Sequence, residues 1–149
     1  MRLANGFDIS ASALTAQRLR MDVISSNIAN ANSTRGKLVN GKWIPYARKI
    51  VVMEPYKPSS FQGALNRAMG AQIGEGVKVT RIMEDQTSFK RVYNPNHPDA
   101  DAEGYVLLPN VDTLKEMVDM MDATRAYEAN VTTLNATKAM MNKALEIGR

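Results

Sequence analysis

The densest group of chemically capable side chains is His97, Asp99, Asp101 and Glu103, within Asn94-Pro95-Asn96-His97-Pro98-Asp99-Ala100-Asp101-Ala102-Glu103-Gly104. Alternating carboxylates followed by a glycine copy the opening of a calcium loop. The copy fails at its twelfth position, where such a loop needs a bidentate glutamate and this chain has Asn110. Pro95 and Pro98 also stand where the entering helix would have to be. The stretch is therefore read as a turn that aligns a last strand with a following helix. One histidine, no cysteine and scattered serines offer no nucleophile with a base beside it. Disulfides and thiolate zinc sites are excluded outright. Gly70, Gly74 and Gly76 lack the spacing and the lysine of a phosphate loop. No catalytic residue, metal ligand set or cofactor is expected, and no small-molecule substrate.

The 149 residues fit one domain with room for an inserted subdomain. The net charge of +4, from 19 basic and 15 acidic residues, is spread along the chain. Its densest spots, Arg48-Lys49 and Lys90-Arg91, fall far short of a nucleic-acid arm, so no nucleic-acid partner is expected. Met1 to Asp8 contains Arg2 but no apolar core of a leader, so no cleavable secretory signal is expected. No apolar run approaches the roughly 18–20 residues of a membrane span. If the protein leaves the cytoplasm, it needs an export route that ignores such signals.

Two helical segments bracket a different middle. The first is predicted from about Ile9 to about Ala31, with Asp8 or Ser10 as its cap. Leu14, Met21, Ile24, Ile28 and Ala31 fall on one heptad-like stripe. The second is predicted from about Val111 to about Ile147, capped by Asn110 or Asp112 and closed by Gly148. Its apolar stripe is Val111, Leu114, Val118, Met121, Val131, Leu134, Met141 and Leu145, interrupted by Thr124, Arg125, Tyr127 and Glu128. At about 1.5 Å per residue it would span roughly 55 Å, long for a small globular domain. All six prolines lie in between. Strands are predicted near Ile44–Glu54, Val77–Glu84, Phe89–Tyr93 and Tyr105–Leu108, with a loop over Tyr56–Gln72 carrying a helical turn at Ala64–Met69. The simplest way to bury both stripes gives an α+β fold. Segments 1–36 and 111–149 pair as an antiparallel coiled coil, with 37–110 as a β-rich insertion. The longer helix then leaves apolar surface uncovered, which points to self-association or partner binding.

Ser25-Ser26-Asn27-Ile28-Ala29-Asn30-Ala31-Asn32-Ser33-Thr34-Arg35-Gly36 resembles the N-terminal signature of flagellar axial proteins, the rod, hook and hook-associated subunits; Asn27, Ala29, Asn30, Thr34 and Gly36 fit its pattern. Arg125-Ala126-Tyr127-Glu128-Ala129-Asn130 resembles the C-terminal helix of the same family. The stretch from Asn94 to Val106, followed by Pro109-Asn110-Val111, and the short middle are similar to the proximal-rod branch of the basal-body rod family. The resemblance implies a structural subunit of the basal-body rod, polymerising helically with itself and other rod subunits to carry motor torque. It also implies passage through the flagellar type III export apparatus into a rod that crosses the periplasm.

The residues expected to carry pairing and assembly are Leu14, Met21, Ile24, Asn27, Ile28, Asn30 and Thr34 from the first end. From the other end they are Val118, Met121, Arg125, Tyr127, Asn130, Val131, Leu134, Met141 and Leu145. Asn27 and Asn30 are read either as fixing register through backbone or partner bonds or as simple helix-end caps. Arg125 is read as either an interface ion pair or a solvated link within the helix. The alternatives to a proximal-rod subunit are another axial subunit or a cytoplasmic coiled-coil adaptor.

Overall fold

The structure is a computed structural model that describes residues 2–39, 41–56 and 76–147. Two helices, α1 (Arg2–Ala29) and α2 (Thr113–Ile147), lie at opposite ends of the sequence. Between them the described residues form β1 (Lys37–Val39), β2 (Lys42–Ile44), β3 (Lys49–Pro55), β4 (Val77–Glu84), β5 (Lys90–Tyr93) and β6 (Tyr105–Leu108). The strands make two-stranded sheets, β1–β2, β3–β4 and β5–β6. The class is therefore α+β. Apart from Tyr56, the loop expected over Tyr56–Gln72 lies outside the described residues, with its turn at Ala64–Met69, and so does Gly148.

Contacts group the chain into two compact units. The first comprises Met1–Arg20, Val52–Arg81 and Ala123–Arg149. In it the early turns of α1 meet the late turns of α2: Ser10, Ala16, Ala123 and Thr137 are buried, and a Cβ built on Gly6 would lie 3.9 Å from Thr137 Cγ2. Ser12 Oγ donates to Ile9 O and accepts the backbone N–H of Val77, holding the start of β4 on the helix. The helix thus begins at Arg2, ahead of the expected start near Ile9, and Ser10 is an interior residue rather than a cap. Packing against α2 outweighs a local capping preference worth about 1 kcal/mol.

The second unit comprises Met21–Val51 and Ile82–Asp122. Val23, Ile24, Val106, Pro109 and Val111 form its apolar core, with Asn27 and Glu116 buried among the polar residues. β1 and β2 pair antiparallel with Leu38 opposite Trp43, across a connection in which Gly41 has φ +78°. β5 and β6 pair antiparallel from Lys90↔Leu108 to Tyr93↔Tyr105. The single strand expected over Ile44–Glu54 is broken into β2 and β3. Pro45 has no N–H for a ladder. Beyond it the chain gives its amides away singly: Tyr46 N to Ser33 O, Arg48 N to Asn110 Oδ1 and Lys49 N to Asn27 Oδ1.

Asp112 caps α2, its Oδ1 accepting the backbone N–H of Leu114 at 3.1 Å. The face of α2 that is covered differs from the apolar stripe expected for it. Glu116, Ala123 and Thr137 are buried and Asn130 is half-buried, at seven-residue intervals, whereas Leu114, Val118, Met121, Met141 and Leu145 are exposed.

Candidate functional site

Asn27 sits in the last turns of α1, 1% exposed, and fills all four of its hydrogen-bonding positions. Nδ2 donates to Lys49 O and to Glu116 Oε2, both at 2.9 Å. Oδ1 accepts from Lys49 N at 2.9 Å and from the Tyr46 hydroxyl at 3.0 Å. One side chain thereby ties α1 to the residues entering β3 and to the first turns of α2.

Glu116 is equally buried and therefore needs compensation for its charge. Arg48 supplies it, Nε donating to Oε1 at 2.6 Å. The same guanidinium reaches Asp85 and Asp119, each at 3.4 Å. Burial alone would pull the Arg48 pKa down, but the bonds and charges of Glu116 and then Asp85 outweigh it, so the group is held above its ordinary value. The backbone N–H of Thr87, then the Arg48 guanidinium, hold the Asp85 carboxyl below the usual carboxylate range. Asn110, expected as a possible cap, instead bridges this site: Oδ1 accepts Arg48 N, and Nδ2 donates to Asp85 O and Thr87. A buried ion pair of this kind contributes little net stability, because desolvating two charges costs several kcal/mol. What it imposes is one register, since displacing any member strands a buried charge.

A second polar link serves the rest of the N-terminal signature. Thr34 Oγ1 donates to Asp99 Oδ2 at 2.8 Å, and Arg35 donates to Asp99 Oδ1 through Nε and Nη2. Arg35 first, then Thr34, hold the Asp99 carboxyl below its ordinary value. Asp101 faces Lys42 at 3.5 Å, and His97 Nδ1 accepts the backbone N–H of Asp99. Asp99 therefore pins the Asn-Pro-Asn-His-Pro-Asp turn to the chain leaving α1. Gly36 follows because no side chain fits there: a Cβ would lie 2.7 Å from Tyr46 N.

The remaining expected residues divide by environment. Ile24 is buried; Leu14, Met21 and Ile28 on α1 and Tyr127, Val131 and Leu134 on α2 are half-buried. Asn30 and Asn130 donate to Ser26 O and Ala126 O within their own helices, the local alternative for Asn30. Arg125, Val118, Met121, Met141 and Leu145 are exposed. Glu116, Arg48, Tyr46, Asp85 and Asn110 were absent from the sequence expectation for the site. The one signal that marks Glu116 in sequence is its seven-residue spacing from Ala123, Asn130 and Thr137.

The first link joins the end of α1 to the first turns of α2, and the second joins the residues after α1 to the turn at Asp99. Residues 7–36 match the family model described as "Flagella basal body rod protein", and residues 102–147 match "Flagellar basal body rod FlgEFG protein C-terminal". Both ends thus carry the sequence of the flagellar rod class. The chain is 57% identical, over 100% of both lengths, to flagellar basal-body rod protein FlgC of Bacillus subtilis (strain 168). It is 48% identical, again over 100% of both, to FlgC of Escherichia coli O157:H7. With FlgC of Borreliella burgdorferi it is 41% identical over 99% of this chain and 98% of the relative. The chain belongs to the FlgC family of flagellar basal-body rod proteins, a structural family.

Proposed function

We propose that this protein is laid down helically in the proximal rod, against copies of itself and other rod subunits, and transmits motor torque for motility. The full-length similarity to FlgC proteins carries this reading. Its mechanical basis is an antiparallel coiled coil of segments 1–36 and 111–149, with 37–110 inserted. In support, Gly6 lies beside Thr137 in one unit and Asn27 bonds Glu116 in the other, each as an antiparallel pair requires. The exposed side chains of Val118, Met121, Arg125, Met141 and Leu145 are then assembly contacts, and Ile24 and Asn27 are pairing contacts. Leu14, Met21, Ile28, Tyr127, Val131 and Leu134 line the seam, while Asn30 and Asn130 shape their helices and Thr34 fixes the exit from α1.

The subunit reaches the rod, which crosses the periplasm, through the flagellar type III export apparatus. Among the described residues no helix is long and apolar enough to cross a membrane. Deleting the gene should abolish flagella without loss of viability, and supplying the chain should restore them. An intact filament in the deletion strain refutes the reading.

A further inference from the structure

The second unit exposes two apolar features of different kinds. The β1–β2 hairpin carries Leu38 and Trp43 as a directly opposed cross-strand pair, hence on one face, 55% and 48% exposed. Lys42 lies on the other face and turns to Asp101. The first turns of α2 expose Leu114, Met117, Val118 and Met121, at the i, i+3, i+4, i+7 spacing of a continuous stripe. The hairpin is a sheet of only two strands, a structure marginally stable in water unless its apolar face is covered.

We infer that the Leu38–Trp43 knob of one subunit seats on the Leu114–Met121 stripe of a second copy. This rests on the assembly reading above and names one of its contacts. A rigid aromatic knob and a methionine-bearing stripe are complementary: thioether side chains adapt to a ring and make favourable sulfur–aromatic contacts. Pairing like with like, knob on knob, would leave every stripe bare. Knob on stripe leaves each pair with one unused knob at one end and one unused stripe at the other, the head-to-tail geometry that builds open helical polymers. Asp122 flanks the stripe one turn beyond Val118, with Lys115 and Arg125 also at the stripe's edge. Six partly exposed side chains bury on the order of 600 Å², well short of the ~1,200 Å² of a stable pair. The contact therefore forms weakly between two free subunits and is held when repeated along a polymer.

The absence of native cysteine makes disulfide trapping clean. The full-length variants Leu38→Cys and Met117→Cys are prepared separately, mixed at assembling concentration and oxidised. Cross-linked pairs should form in the mixture and not in either variant alone, and the double variant should give a ladder of oligomers. Trp43→Ala should raise the concentration needed for assembly about tenfold. A disulfide closed within one chain, a product limited to dimers of a single variant, or assembly with no Leu38–Met117 cross-link overturns the inference and leaves the assembly reading standing. A wild-type chain that stays monomeric alone and with the other rod subunits sinks both.

Discussion

Replacing Asn27 with alanine should separate its role from that of Asn30, three residues along in the same signature. The substitution strips partners from the backbone N–H and C=O of Lys49, from the Tyr46 hydroxyl and from Glu116 Oε2. A buried polar group left unpaired costs about 1–3 kcal/mol, and more when it is charged. The Tyr46 hydroxyl keeps a 3.4 Å neighbour in Ser26 Oγ, and Glu116 keeps Arg48. Glu116, charged and buried, loses one of its partners, and Lys49, an exposed residue, loses both of its backbone bonds to Asn27, so the expected loss is about 2–4 kcal/mol. Asn30→Ala loses one bond to Ser26 O, a carbonyl that still accepts the Asn30 backbone N–H, so it should cost under about 1 kcal/mol. Urea unfolding followed by the fluorescence of Trp43, the single tryptophan, reads both. Equal losses for the two variants would refute the buried clamp.

Three further outcomes follow from the same geometry. Arg48→Met leaves Glu116 charged and buried without its cation, so it should destabilise by about 3–5 kcal/mol in the same melt, whereas Arg48→Met combined with Glu116→Leu should recover most of the loss. Gly36→Ala drives a Cβ into the Tyr46 backbone at 2.7 Å and should cost about 1–3 kcal/mol, read as a lowered melting temperature in calorimetry. Asp85 and Asp99 have folded pKa values below their ordinary ones, so their stabilisation is complete above about pH 4 and is lost as pH falls through the folded values. Stability against pH should therefore fall on the acid side of pH 4, and Asp99→Asn should flatten that fall; an unchanged slope contradicts the Asp99 link.

That two helices bracket a strand-bearing middle was legible because periodicity and punctuation agree. Heptad-like spacing marks both ends, and every proline lies between them. The covered face of α2 was not legible, because a reading that follows apolar residues selects Leu114, Val118 and Met121. The chain instead buries Glu116, Ala123 and Thr137, and only partners 68 and 89 residues away in sequence, Arg48 and Asn27, make a buried glutamate tolerable. The start of α1 was misplaced for a related reason: Asp8 and Ser10 carry a strong local capping signal, and burial of Ser10 beside α2 overrides it. Asn27 was singled out by the signature, but its four partners come from Tyr46, Lys49 and Glu116, which no local pattern connects. The turn from Asn94 to Gly104 looked like a cation loop because its carboxylates alternate. In the fold Asp99 meets Thr34 and Arg35, and Asp101 meets Lys42.

A density map of an intact flagellar basal body, with this chain placed in the rod, tests the central claim most directly. The prediction is α1 and α2 of each subunit running antiparallel and in contact, Asn27 against Glu116, with the Leu114–Met121 stripe covered by a neighbouring subunit. End helices that lie apart in the rod, or a stripe facing open solvent there, would contradict it.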